Sequence, residues 1–366
     1  MKLRAKYTAV GITLAAATVF SATLSTPASA EINLAGKTVE FVIPFSTGGG
    51  SDKWARFYAP LLSEALPGKP TVVVKNMPGA GSTKGANWFH SRAKGDGLTI
   101  FGSSGSTQFP YILGDRRVKY DYRDWQVVLG TATGGVAYMS PAMVAKWKKD
   151  PNSIKGTKFI FGSQGATRLD LIPILAWQML GLTVDPVFGV KSRGTGRLMF
   201  ERGEANIDYQ TAPAFLSKVR PLVKAGKAEA MMTWGALDAD GNIVRDPTFP
   251  NVPTFKEEYK RVNGKDPSGP AWEAWKAFFI AGFAAQKMVF LPKSASKDTV
   301  ETYSNAFKRV VARADFGKIS KKRLGVYPQA TGAQAAKYKK LATEVDPQAT
   351  AWVKKWLTDR FGVKLK

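Results

Sequence analysis

The stretch Phe41-Val42-Ile43-Pro44-Phe45-Ser46-Thr47-Gly48-Gly49-Gly50-Ser51-Asp52-Lys53-Trp54-Ala55-Arg56 constrains this chain more than any other. It starts as an apolar run short enough for a buried strand. Three glycines follow, then Ser51 and Asp52, both favoured helix N-caps. Beyond them Trp54, Phe57, Tyr58, Leu61, Leu62, Ala65 and Leu66 recur at helical spacing. The order is strand, glycine turn, helix. Glycine lets the backbone turn left-handed and approach a ligand closely. The free N–H groups and dipole of a helix start favour an anion. The stretch therefore suits a phosphate or a carboxylate, although a tight turn alone would use the same residues. It is neither a P-loop nor a dinucleotide fingerprint, because neither glycine spacing is in register.

Residues 1–30 read as an export signal. Lys2, Arg4 and Lys6 precede a mostly apolar run at 10–24, and Ala28-Ser29-Ala30 fits a small-x-small cleavage site. The mature chain is expected to begin near Glu31 and to reside in a bacterial periplasm. The chain has no cysteine, which excludes a lipid-anchored cysteine, disulfides, thiolate zinc sites and cysteine nucleophiles. Its 366 residues suffice for two domains with large cores. A formal net charge of +25 favours capture of anions. The basic residues are spread along the whole chain without a nucleic-acid motif, so no nucleic-acid partner is expected.

Strands are expected at 39–45, 71–75, 98–102, 127–131, 159–161, 187–188, 207–209 and 230–233. Helices are expected at 83–92, 168–180, 297–313 and 332–360. The alternation argues for parallel sheets covered by helices. Three loops share one design of glycine with serine or threonine after a strand: 45–52, 76–83 and 162–167, with 103–107 as a weaker fourth. Ligands of open α/β sheets sit at the carboxyl ends of strands. Matching loops in two sets of strands suggest two lobes facing one cleft. Such a cleft would hold an anion with backbone N–H groups and small hydroxyls, without a buried lysine.

Several ordered motifs carry a family resemblance. Ile43-Pro44-Phe45-x-x-Gly-Gly-x-x-Asp52-x-x-Ala55-Arg56, Asn76-x-Pro78-Gly79-Ala80-Gly81, Asp96-Gly97-x-Thr99-Ile100, Gly203-Glu204-Ala205-Asn206-Ile207-Asp208 and Pro250-x-Val252-Pro253-Thr254-Phe255-x-Glu257 appear in sequence order across nearly the whole mature chain. The set resembles the substrate-binding proteins of tripartite tricarboxylate transporters, the Bug-type solute receptors. The resemblance implies a type II periplasmic-binding-protein fold, α/β, with two lobes, a ligand cleft and a two-crossover hinge. Lobe 1 would comprise 31–135 and 283–366, lobe 2 136–282, with crossovers near 130–136 and 278–282. It implies capture of a small organic carboxylate, a di- or tricarboxylate or an aromatic acid, for membrane permease subunits, by a monomer with no cofactor and no metal. Carried over by position, Phe45, Ser46, Thr47, Gly48 and Gly49 form one pincer and the loop 162–167, with Ser163, Gly165, Ala166 and Thr167, the other. Asp52, Ser82, Thr83, Ser103, Ser104, Arg168 and Asp208 complete the expected ligand set. Met77 stands where the family commonly has arginine.

Other residues invite blander roles. His90 is the only histidine and lies beside Trp88 and Phe89, which suggests packing or surface. Arg193 and Thr195 are candidate ligand or lobe contacts, and Trp234, Trp272 and Trp275 are candidate cleft walls for an aromatic ligand. One histidine and no cysteine leave little for a catalytic triad or a Cys/His metal site, so the chain is not expected to be an enzyme. A carboxylate-dependent hydrolase and a ligand-sensing partner of a membrane receptor are the alternatives.

Overall fold

The computed structural model describes residues 31–366, and the leader read over 1–30 lies outside them. Its strands are β1 (Thr38–Ile43), β2 (Thr71–Asn76), β3 (Thr99–Gly102), β4 (Gln126–Thr131), β5 (Gly135–Met139), β6 (Phe159–Ser163), β7 (Val184–Phe188), β8 (Ile207–Thr211), β9 (Glu229–Thr233), a hairpin β10 (Ala236–Leu237) and β11 (Ile243–Val244), β12 (Lys287–Leu291) and β13 (Gln329–Thr331). The helices that matter for the site are α1 (Gly50–Ala65), α2 (Thr83–Arg92), α3 (Gly105–Ile112), α4 (Pro141–Lys149), α5 (Leu171–Met179) and α6 (Arg193–Glu201).

One lobe is built on a six-stranded sheet in the order β13-β4-β12-β3-β1-β2. β1 pairs in parallel with β2 and β3, whereas β12 runs antiparallel to β3 and β4. Both faces of β1 are buried: Val39, Phe41 and Ile43 join one apolar cluster, Val42 another. Alternation into two cores is what a covered central strand requires. The face of α1 carrying Trp54, Phe57, Tyr58 and Leu62 packs on the first cluster, each such side chain contributing about 1.5–3 kcal/mol by burial.

The other lobe contains the antiparallel sheet β8-β5-β9 and the parallel pair β6–β7. Asn206 ties the pair to β8: its backbone N–H donates to the Ile160 carbonyl at 3.1 Å, and its Oδ1 accepts from the Ile160 N–H at 2.7 Å. The expected parallel sheets are thus realised only in part. Strands that return after the chain has passed from one lobe to the other, such as β12, enter against the local direction.

The lobes join where 132–134 and 285–286 pass between them, and the Thr133 N–H donates to the Phe283 carbonyl at 2.9 Å, lacing the two crossings. The helix expected over 332–360 is two helices, Ala333–Thr343 and Pro347–Phe361. Pro347 occupies the first turn of the second, and Asp346 caps it by accepting from the Ala349 N–H at 2.7 Å. This closing helix, assigned by sequence to lobe 1, buries Ala349, Val353 and Leu357 in the core that also holds Trp177, Trp234 and Trp275. No helix among the described residues is long and apolar enough to cross a membrane.

Candidate functional site

Both lobes contribute to a small cavity of about 20 Å³, room for roughly one water. From the six-stranded lobe come Phe45, Gly49, Gly50 and Ser51 at the start of α1, Ser104 and Ser106 at the start of α3, and Gln286 and Lys287 at the start of β12. From the other lobe come Gln164 and Leu169 after β6, Ser192 and Arg193 at the start of α6, and Thr211 at the end of β8.

The geometry begins with glycine. The start of α1 faces the start of α6 and the end of β8 so closely that a Cβ on Gly49 would lie 3.7 Å from the Gly194 nitrogen and one on Gly50 2.0 Å from Thr211 Oγ1. Gly48 is left-handed at φ 86°. Neither Ser51 nor Asp52 caps α1, contrary to expectation: the N-cap is Gly49, with no side-chain bond, and the helix starts at Gly50. Asp52 instead braces the loop, accepting from the Gly48 N–H at 2.9 Å, Arg56 Nε at 3.0 Å and Asn76 Nδ2 at 3.1 Å. The first turn of α1 therefore has no side-chain cap, and Gly49, Gly50 and Ser51 at its start line the cavity. Opposite, the Ser192 hydroxyl caps α6 by accepting from the Thr195 N–H at 3.2 Å. Two helix dipoles present their positive ends to one small space.

Of the residues expected to bind ligand, Phe45, Gly49 and Ser104 line this cavity. Ser46 and Gly48 are half-buried beside it and Thr47 is exposed. The others bond within the protein. Ser82 donates to the Ser106 carbonyl, Thr83 to the Ala80 carbonyl, and Ser103 shares a hydrogen bond with the Tyr122 hydroxyl. Ser163 donates to Asp170 and accepts from the Gly165 N–H. Ala166 is part of an apolar core. Trp234, Trp272 and Trp275 are core residues too, and His90 accepts from the Trp125 indole at 3.4 Å.

Two buried arginines organise the second pincer. Arg168 is wholly buried and reaches the other lobe, with Nη1 3.1 Å from Asp115 Oδ2 and Nη2 donating to the Ala80 carbonyl at 2.8 Å. Thr167 donates to the same Asp115 oxygen at 2.8 Å, and the Leu169 N–H to Ser106 Oγ at 3.1 Å. Although burial disfavours the Asp115 carboxylate, Arg117 and Arg168 hold it well below the usual carboxylate range. Arg193 stays inside its lobe, bonded to Asp208, to the Gly162 carbonyl and, at 3.4 Å, to Asp170. Its guanidinium lies over the rings of Phe161 and Tyr209 at 4.6 and 4.7 Å. Burial pushes the Asp208 carboxyl up despite Arg193.

The largest departure from the sequence reading is Lys287. A buried lysine was not expected, yet Lys287 is 1% exposed and, among the described residues, its Nζ donates only to Ser51 Oγ, at 3.2 Å. Burial pushes its ammonium down to about 7. Gln164 and Ser106 line it from loops the sequence singled out, 162–167 and 103–107, whereas Ser192, Thr211 and Gln286 are lining residues that sequence reasoning missed. Ser192-Arg193-Gly194-Thr195-Gly196 carried a readable signal, a serine cap before small residues. Among the described residues no group of three or more acids or histidines could hold a metal.

No protein-family model matches the chain. BugT of Bordetella pertussis is 27% identical over 259 residues, 67% of this chain and 73% of BugT. The structure of the periplasmic binding protein BugD superposes with a TM-score of 0.63 at 21% identity, covering 90% of this chain and 99% of BugD. MatC from Rhodopseudomonas palustris with bound malate gives a TM-score of 0.60 at 17% identity, covering 87% and 99%. The fold is that of the periplasmic binding proteins, two α/β lobes about a cleft. The sequence relative is in keeping with the family resemblance carried by the motifs, and the neighbours share the fold.

Proposed function

We propose that this protein captures a small organic carboxylate between its lobes in the periplasm and presents it, as a monomer without cofactor or catalysis, to the permease subunits of a tripartite tricarboxylate transporter. One observation carries the reading: helix starts from two different lobes, α1 and α6, oppose each other across a space edged by the hydroxyls of Ser51, Ser104, Ser192 and Thr211. Uncapped helix N–H groups and small hydroxyls bind a carboxylate head group without selecting its skeleton. The malate bound to MatC is in keeping with such a cargo. The cavity of about 20 Å³ cannot admit an organic acid, so entry requires the lobes to part about the crossings at 132–134 and 285–286. Lobe 1 then comprises 31–131 and 287–346, lobe 2 135–284 with the closing helix against it. Binding selects the closed arrangement.

A thermal-shift screen of residues 31–366 against mono-, di- and tricarboxylates and aromatic acids tests this. At a hundredfold excess over Kd, the cargo is expected to stabilise the protein by about 2.7 kcal/mol. A melting curve moved by sugars or cations and by no acid would sink the carboxylate reading.

Closure also predicts a size limit at Gly50. Gly50→Ala places a methyl 2.0 Å from Thr211 Oγ1, an overpacking cost of about 1–3 kcal/mol borne by the closed form. Affinity should fall roughly 5- to 150-fold, and Thr211→Ala in the same chain should restore most of it, since the remaining neighbours stand at 3.4 Å or more. Titration calorimetry of the two variants decides, and an undiminished affinity in Gly50→Ala means that these helix starts do not meet around ligand.

A further inference from the structure

Lys287 reaches the cleft because β12 runs backwards. β1, β3 and β4 end at the cleft edge of their sheet, and β12 is antiparallel to both β3 and β4, so its first residue lies level with Thr131, the last of β4. The side chain is 1% exposed, lines the cavity, and among the described residues has the Ser51 hydroxyl as its one hydrogen-bond partner.

The charged groups around it are already engaged. Asp52, next to Ser51 on α1, is turned to the Gly48 N–H, Arg56 and Asn76. Arg193, on the facing helix, is matched by Asp170 and Asp208. Among the described residues no carboxylate pairs with Lys287. Two amides lining the same cavity are also unmatched: Gln164 Nε2 and Gln286 Oε1 are buried without hydrogen-bond partners. Burying a lone ammonium is costly until an anion meets it. The cleft thus contains a cation, a donor and an acceptor without a natural complement among the described residues.

We propose that Lys287 is the charge partner of the bound acid: its Nζ donates to a ligand carboxylate oxygen, beside Ser51 and the first N–H groups of α1, and restricts the site to anions. The inference rests on the carboxylate reading above and goes beyond it, because backbone amides and hydroxyls alone would tolerate a neutral isostere. A carboxylate beside the amine raises its pKa from about 7 in the free protein, so above pH 7 binding takes up a proton. Affinity should be flat below about pH 6 and fall by up to tenfold per unit above pH 7, until the bound form also loses its proton.

The experiment is titration calorimetry of residues 31–366 with succinate, malate and adipate as probes and succinamide as neutral control. It is run at pH 8 in two buffers of different ionisation enthalpy and repeated from pH 6 to 9. At least one acid should bind with proton uptake, succinamide should not bind, and Lys287→Met should weaken the acid tenfold or more and abolish the uptake. Unliganded Lys287→Met should melt no lower than the parent, since it removes a lone buried charge, so weak binding is not misfolding. Equal acid affinity and equal proton uptake in parent and Lys287→Met would overturn the role of Lys287 while leaving carboxylate capture standing. Binding of succinamide in place of the acids, or no heat with any probe at millimolar concentration, would overturn both.

Discussion

Arg193→Ala is expected to cost about 3–5 kcal/mol of stability, because it removes one partner from a buried ionic cluster and strands the others. Arg193 is 7% exposed, and Asp170 and Asp208 are wholly buried. Burial alone works against the guanidinium's charge, but the two carboxylates outweigh it and hold its pKa above the ordinary arginine value. Asp170 has other support, accepting from the Gln164 N–H at 2.6 Å and the Tyr209 hydroxyl at 2.8 Å. Asp208 has only the Tyr138 hydroxyl and Gln210 Nε2 among its side-chain donors, so of the two carboxylates that lose their cation it is the less supported.

The cost should depend on pH with a definite sign. Burial already raises Asp208 above the usual carboxylate value, with Arg193 opposing the shift. Without Arg193 the folded pKa rises further. Between the unfolded and folded values the native state then binds more protons than the unfolded state, so stability falls as pH rises through that window. The penalty of Arg193→Ala should be smaller at pH 5 than at pH 8, and Arg193→Met combined with Asp208→Asn should lose less than the single variants added together. Urea unfolding with unchanged m-values measures it. A loss below about 1 kcal/mol at pH 8 would mean that the cluster is hydrated and does not hold the second lobe together.

The contrast between Arg193 and Lys287 shows what was legible. Glycine loops and caps are local chemistry, so the start of α1, the Ser104 turn and α2 (Thr83–Arg92) can be read from neighbouring letters. The ordered motifs then supply the two-lobed fold. Lys287 is different: what places it in the cleft is the direction of β12, a property of the topology with no mark in the adjacent residues. The rule that ligands sit at carboxyl ends of strands overlooks it, because an antiparallel strand brings its amino end to the same edge. Thr167, Arg168 and Asp208 belong to the right loops and strands. Their side chains are taken by Asp115, 52 and 53 residues away, and by Arg193, pairings that no spacing rule reveals. The break at Asp346-Pro347 was readable, since proline in a first helical turn after an aspartate cap signals a new start.

Arg168→Ala should act on opening of the lobes more than on folding. Two of its bonds, to Asp115 and to the Ala80 carbonyl, cross from one lobe to the other, and Thr167 adds a further crossing bond to Asp115. Asp115 is not stranded by the change, because Arg117 Nη2 remains 2.7 Å from it. The folding penalty should therefore stay below that of Arg193→Ala, although each charge-assisted bond is worth about 1.5–3 kcal/mol where it forms. If these bonds exist only when the lobes are closed, losing them shifts the closed–open equilibrium by the same amount, and every 1.4 kcal/mol lowers apparent ligand affinity about tenfold. The ligand-free variant should show a larger radius of gyration in solution scattering and bind the cargo at least about tenfold more weakly. Arg168→Lys, which keeps the charge but not the two-pronged geometry, should fall between the two. Unchanged scattering and affinity in Arg168→Ala would show that the crossing bonds form in the open protein as well, and closure would then have to be driven by ligand contacts at the starts of α1 and α6 alone.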